Sequence, residues 1–514
     1  MNTAPAFAYD DVFYPARPLP QTHPDRLATQ ARIFGMNPAP VARCRVLELG
    51  CGDGGNLIPM AMAFPESRFV GIDLAEKAVT TAVEAAAALG VENVAFQRQD
   101  IMEAGKDLGQ FDYVIAHGVY SWVPPAVRDR ILAIAAETLT PHGVAYVSYN
   151  TYPGCHLRHT VREMMRFHIR DVMDSREKMA RARHLVEFLI QAHAGPSKEQ
   201  AFMREELAQV QMHGDSSLFH DDLADINVPV YFREFVAHAA RHRLQYLGEA
   251  NVFQMHDRMY EPAVRETLHA LTGDDVILKE QYLDFMSDRR FRQTLLCRDD
   301  VVLDRTPPPA IARQFHLASQ AKPVSPHPDV TSSSVVEQFR GMKGAAMATD
   351  HPLAKTAILL LGQRWPELLS FDELFQAARR RLADAPGVGA AGHDADALAE
   401  IMLATYYAGL VEFHSHPPRF CVEPGPRPVA SPLVRFQVQS DSVVTNLRHT
   451  TVDIEDTMGR HLIGLLDGTR DRKELLAEMR RFAGVKAAGG EVKIEPEGLD
   501  KKLRELGRLA LLVA

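Results

Sequence analysis

The stretch Arg45-Val-Leu-Glu-Leu-Gly-Cys-Gly-Asp53, running on through Gly54 and Gly55 to Asn56, decides how the rest of the chain is read. Val46 to Leu49 has the apolar character of a strand buried on both faces, interrupted only by Glu48. Gly50, Gly52, Gly54 and Gly55 then form a turn that lets backbone approach a ligand, because glycine accepts positive φ and has no side chain in the way. A helix opening near Asn56 aims its unpaired N–H groups at the same place. The pattern predicts a nucleotide-type pocket at the carboxyl end of a parallel strand.

Outward from that turn, apolar runs alternate with helical patterns. Strands are expected at 45–49, 68–73, 94–98, 111–116 and 143–148, and helices near 56–64, 75–89 and 125–138. This alternation marks a parallel α/β sheet. The second strand ends on Asp73, followed by Leu74, at the spacing of about twenty residues from the turn that suits an acid accepting hydrogen bonds from ribose hydroxyls. Asp100 and Ile101 follow the third strand. Dinucleotide enzymes usually carry Gly-x-Gly-x-x-Gly. Glu48-x-Gly50-x-Gly52 with acids after the second and third strands is instead the pattern of class I methyltransferases that use S-adenosylmethionine. Helix capping is the plain alternative for both acids.

Two loops beyond strand ends are expected to face the transferred methyl group. One is His117-Gly-Val-Tyr120-Ser-Trp122-Val-Pro-Pro125, the other Ser148-Tyr149-Asn150-Thr-Tyr152-Pro153-Gly154. Tyr120, Trp122, Tyr149 and Tyr152 are candidate catalytic residues, since aromatic faces hold an amine or its methylated cation. A lysine acceptor must first lose its proton, and desolvation among rings lowers its pKa. His23 and His117 are candidates to relay that proton, with His117 favoured as a cofactor contact. Core packing is the alternative for each ring.

A chain of 514 residues holds several domains, and 46% hydrophobic with 24% charged residues is ordinary for a soluble protein. A net charge of −9 without a long basic run weighs against a nucleic-acid partner. Cys44, Cys51, Cys155, Cys297 and Cys421 form no Cys-x-x-Cys pair, so neither a zinc ribbon nor a disulfide framework is indicated. His414, His416 and Cys421 lack a complete ligand set, and no metal is expected. The amino terminus reads as no secretory signal, and no apolar run reaches the roughly 18 residues of a span. A cytoplasmic protein without membrane insertion is expected.

The segments 21–28 (Gln-Thr-His-Pro-Asp-Arg-Leu-Ala), 47–61, 116–124 and 149–154 closely resemble a bacterial methyltransferase family carrying a methyltransferase regulatory domain. Pro229 to His242 is similar to that regulatory region. The family includes protein-lysine methyltransferases acting on bacterial outer-membrane proteins, and the resemblance runs the full length. It implies an S-adenosylmethionine site using Gly50, Gly52, Asn56, Asp73, Asp100 and His117; Glu48, Leu74 and Ile101 complete the candidate cofactor set. No Asn-Pro-Pro-Tyr follows strand four, which weighs against nucleobase and glutamine acceptors.

The expected architecture is α/β, a Rossmann-like class I methyltransferase sheet with a helical insertion, followed by small, mainly helical, winged-helix-like C-terminal domains. Its parts are an N-terminal arm or lid (1–44), the cofactor-binding core (45–154) and a helical insertion serving as dimer contact or substrate cover (155–228). A regulatory region (229–304) completes the sheet with strands at 244–253 and 291–298. A Pro-rich linker (305–334), a winged-helix-like middle domain (335–425) and a C-terminal domain (430–514) with a strand at Val434–Val438 follow. The reading is an S-adenosylmethionine-dependent methyltransferase with a protein lysine as acceptor and a homodimer as an open possibility. The alternatives are a cofactor-sensing adaptor and a small-molecule methyltransferase. Truncation after Asp304 is expected to abolish transfer and spare cofactor binding.

Overall fold

A computed structural model describes residues 14–383, 391–486 and 494–514; the first thirteen residues of the expected arm lie outside it, as do 384–390 and 487–493 in the two later units. The core is a seven-stranded sheet: β1 (Arg45–Leu49), β2 (Arg68–Asp73), β3 (Val94–Arg98), β4 (Phe111–Ala116), β5 (Leu139–Asn150), β6 (Leu244–Glu249) and β7 (Phe291–Arg298). Their order is β3-β2-β1-β4-β5-β7-β6. The first five pair in parallel, while β7 runs antiparallel to β5 and to β6. The expected sixth and seventh strands therefore belong to this sheet, and the regulatory region supplies two strands of the catalytic core.

Strand order reverses between β1 and its two neighbours, which opens a crevice at the carboxyl ends of β1 and β4. Val46, Leu47 and Leu49 are fully buried, as helices cover both sheet faces. The helices of the core are α1 (Pro24–Ile33), α2 (Leu57–Ala63), α3 (Glu76–Ala88) and α4 (Pro125–Thr138). After β5 the insertion folds as α5 (Cys155–Ile169), α6 (Ser175–Ala192) and α7 (Lys198–Gln211), which enclose their own apolar cluster around Val161, Met165 and Val186. Next come α8 (Phe232–Arg241), α9 (Pro262–Thr272) and α10 (Val276–Ser287). The 260–288 stretch is thus two helices, because Gly273 takes φ +53 and Asp275 caps a new helix.

Two expectations for the second half are corrected. Within 305–334, expected as linker, β8 (His316–Ala318) pairs with both β12 (Leu369–Ser370) and β13 (Glu412–His414), and β9 (Lys322–Pro323) pairs with β10 (Glu337–Arg340), which in turn pairs with β11 (Ala346–Thr349). Phe315 and Leu317 between the proline clusters are buried, and that apolar anchor draws the extended segment into the middle unit. The other helices of this unit are α11 (Pro352–Arg364), α12 (Phe371–Arg381) and α13 (Ala391–Tyr407). Residues 434–438 alternate like a strand yet form α14 (Pro432–Gln437), since a proline at the first helical position is preorganised for helix. The small ladder lies later, at β14 (Val443–Thr445) and β15 (Thr451–Asp453). Helices α15 (Thr457–Leu465), α16 (Arg472–Lys486) and α17 (Pro496–Arg508) complete the C-terminal unit.

Candidate functional site

The turn after β1 is built by conformation. Gly50, Gly52 and Gly54 have φ of +77, +54 and +77, values an L side chain tolerates poorly. Gly50 N–H and Cys51 N–H both donate to Ile72 O, tying the turn to the end of β2. Asp73, the last residue of β2, then receives Gly52 N–H on Oδ2 and Ala75 N–H on Oδ1, each at 2.9 Å. Asp73 therefore braces the turn as well as standing at its rim. Asp100 Oδ1 accepts from Met102 N–H at 2.9 Å, so both acids take local backbone donors in addition to any ligand. Leu74 is exposed beside Asp73 and Ile101 packs against the core below.

Beneath the turn sits a buried pair. Glu48 Oε1 accepts from Asn56 Nδ2 at 2.8 Å, whereas Glu48 Oε2 is buried without a hydrogen-bond partner among the described residues. Burial pushes the Glu48 carboxyl up to about 8. A buried carboxylate oxygen lacking a donor suits a cationic ligand, and S-adenosylmethionine brings an α-ammonium and a sulfonium. The residues present fit that cofactor on this observation.

Asn56 is also a meeting point that the sequence did not announce. Its Oδ1 accepts from Leu19 N–H at 2.9 Å and lies 2.9 Å from His449 Nε2, and its Nδ2 donates to Thr22 Oγ1 at 3.0 Å. The arm before α1 thus runs over the turn: Ala16 N–H donates to Asp53 Oδ1, and a Cβ on Gly55 would stand 2.2 Å from Ala16 O. Arg17 then reaches Asp441 of the C-terminal unit at 2.7 Å. The N-terminal arm is clasped between core and C-terminal domain.

His23 belongs to this junction and not to the acceptor loops. Its Nδ1 caps α1 through Asp25 N–H, and its ring lies 5.4 Å from Phe64 and 5.0 Å from His449. Burial lowers it to about 4. The same seam holds Asp25 against His414 at 2.6 Å and Glu412 against both Arg26 and Arg448. His414, set aside above as a metal ligand, is engaged in these contacts.

The expected aromatic box divides in two. Tyr120 and Tyr149 are core residues: Tyr149 stacks on Phe235 at 4.1 Å and its hydroxyl meets Thr294 Oγ1, while Tyr120 OH meets His238 Nδ1 at 2.8 Å. Neither has a face free for an amine, since both are buried almost completely. Alternation along β5 sends Tyr149 into the sheet's covered face, a direction that loop position alone does not reveal. Trp122 and Tyr152 remain partly accessible. Trp122 Nε1 has no hydrogen-bond partner among the described residues. Tyr152 stacks on His156 at 4.2 Å with Tyr231 5.4 Å away. Tyr231 and Asn227, absent from the sequence-based set, arrive because residues 227–231 cross both loops: Val228 N–H donates to Ser121 O, and Asn150 Nδ2 to Asn227 Oδ1.

His117 is held at 2.9 Å from Tyr146 OH, and burial lowers it to about 4. It is neutral at physiological pH and a poor proton acceptor there. Its place beyond β4, one residue before Gly118 whose N–H donates to Ser148 Oγ, puts it at the crevice floor.

Comparisons with known proteins agree with this geometry. A methyltransferase-domain model matches residues 46–143, a predicted methyltransferase regulatory domain matches 214–298, and the C-terminal winged helix domain of PKMT matches 426–500. The solved structure of PKMT2 from Rickettsia typhi is similar over 98% of this chain and 100% of its own, with a TM-score of 0.85 at 25% identity. Its complex with AdoHcy gives 0.86 at 26% identity over the same shares. The uncharacterised protein RP789 of Rickettsia prowazekii is 31% identical over 477 residues, 91% of this chain and 84% of its own length. The chain belongs to the S-adenosylmethionine-dependent class I methyltransferases that join a methyltransferase domain to the methyltransferase regulatory domain and the PKMT winged helix.

Proposed function

We propose that this methyltransferase modifies the ε-amine of lysine in a protein. The observation that carries the reading is the end-to-end likeness to PKMT2, which includes the C-terminal units and not the cofactor core alone. S-adenosylmethionine supplies an electrophilic methyl group on a sulfonium. Glu48, Gly50, Gly52, Asn56, Asp73, Leu74, Asp100, Ile101 and His117 would hold it. The turn would offer backbone N–H groups, Asp73 and Asp100 would accept from the ribose and adenine side, and Glu48 Oε2 would answer positive charge.

For the acceptor, Trp122, Tyr152 and Tyr231 offer aromatic surface at the mouth beyond β4 and β5. They exclude water from an incoming lysine, and loss of hydration favours its neutral, nucleophilic form. His23 and His117, buried and lowered to about 4, are poor acceptors for the proton the lysine releases. The five free cysteines, four of them buried, suit work in the cytoplasm, where an outer-membrane protein is met before export. Among the described residues no helix is long and apolar enough to cross a membrane.

Incubating the full chain with labelled cofactor and a lysate, then mapping the label by mass spectrometry, tests the proposal. Label on protein lysine is expected. Label confined to small molecules or nucleic acid would overturn it.

A further inference from the structure

Helix α8 carries His238 and is capped by His242 one turn on, so both rings leave the same side. Helix α4 presents Asp129 to that face. The Nε2 atoms of His238 and His242 converge on a single oxygen, Asp129 Oδ1, at 3.0 and 2.8 Å. The donor atoms of all three residues lie within 4.8 Å of one another. Bonds of about 2.0–2.2 Å from nitrogen and oxygen to zinc place neighbouring ligand atoms roughly 3–3.5 Å apart, so small shifts bring this trio round one ion.

Two further features separate the trio from an ordinary surface ion pair. Tyr120 OH sits 2.8 Å from His238 Nδ1 and fixes that ring with Nε2 turned toward Asp129, the arrangement by which an outer hydrogen bond orients a metal-bound imidazole. The histidine side chains are mostly covered, at 13% and 18% exposure, whereas Asp129 at 56% leaves an open path from solvent. Two imidazoles sharing one exposed carboxylate oxygen would by themselves contribute little stability. Arg241 nearby bears charge of the ion's own sign and tempers the affinity.

We infer that Asp129, His238 and His242 form a site for one divalent ion of the zinc type, with water completing the coordination. Imidazole and carboxylate together select late first-row ions over calcium or magnesium. The ion would join α4, within the methyltransferase-domain match, to α8, within the regulatory-domain match, beside Tyr120 in the loop after β4. This site is separate from the glycine turn and independent of the acceptor's identity.

The test is calorimetric titration of the full-length, EDTA-stripped protein with Zn2+. One equivalent should bind to the unaltered chain at micromolar concentrations, and His242→Gln and Asp129→Asn should each weaken it at least tenfold. Visible absorption of Co2+ bound in its place should vanish in both variants, with far-UV circular dichroism unchanged. Should His242→Gln fold poorly, Asp129→Asn at the exposed position carries the comparison. Equal stoichiometry and affinity for Zn2+ in the unaltered chain and the folded variants, or no binding to the unaltered chain, would overturn the assignment.

Discussion

His449 Nε2 and Asn56 Oδ1 lie 2.9 Å apart although 393 positions separate them in sequence. Both side chains are buried, and His449, lowered well below its ordinary range by burial, is a neutral partner. The C-terminal domain therefore supplies part of the wall behind the glycine turn. His449→Ala should weaken S-adenosylmethionine binding by about 1 kcal/mol, roughly fivefold, as one buried hydrogen bond is lost. An unchanged dissociation constant by calorimetry would remove His449 from that wall. Truncation after Asp304 removes His449 together with Glu412, His414 and Ser415, the partners of α1. Cofactor binding should fall with it, contrary to the expectation drawn from sequence.

Glu48 carries a pH signature. Its folded-state value of about 8 lies above its ordinary 4.5, so between these limits the folded chain holds a proton that the unfolded chain has released. The unfolded state binds fewer protons, and stability must decline as pH rises through this window, by on the order of a few kcal/mol, then level off. Glu48→Gln abolishes the decline. Urea midpoints of the two proteins should diverge across the window; parallel curves would refute the shift. A cation bound beside Glu48 favours the carboxylate, so cofactor binding near neutrality should release a proton, visible as a buffer-dependent enthalpy.

The turn makes a steric prediction with an internal control. A Cβ on Gly50 would stand 2.6 Å from Val119 Cγ2 and would sit at φ +77. Gly90 has φ +66 with nothing within 4 Å. Gly90→Ala should therefore cost about 1–2 kcal/mol from backbone strain alone. Gly50→Ala should cost more and should also displace the loop that carries His117, lowering cofactor affinity at least tenfold. Equal melting points for the two variants would contradict this geometry.

The aromatic residues should separate by readout. Tyr149→Ala removes a fully buried, stacked ring and should destabilise the chain by about 3–5 kcal/mol. Tyr152→Ala should leave the unfolding midpoint near that of the unaltered protein while raising KM for the protein acceptor several-fold. Steady-state kinetics beside chemical denaturation decides it, and a large stability loss with intact KM for Tyr152→Ala would reverse the assignment.

The sheet was legible because parallel strands buried on both faces write continuous apolar runs, and Gly50, Gly52 and Asp73 must stand where the turn requires them. Local signals also placed most helices. What escaped the sequence is contact at long range. Nothing in the order of residues pairs Asn56 with His449, or Asp129 with His238, because such meetings follow from how domains dock. Tyr120 and Tyr149 misled for a related reason: a ring's position in a loop or at a strand end does not say which way it points. His23 was read by its type, and its buried place at the domain seam came only with packing.

The clasped arm has a consequence for how the protein is made. Strands β1 to β5 emerge early from the ribosome, and domains generally fold as units in order of synthesis. Yet Arg17 waits for Asp441, 424 positions later, and Asn56 for His449, 393 positions later. A nascent chain can thus form its sheet long before the donor site has its last wall. The finished pocket is a product of the whole chain, and an incomplete translation product is left without it.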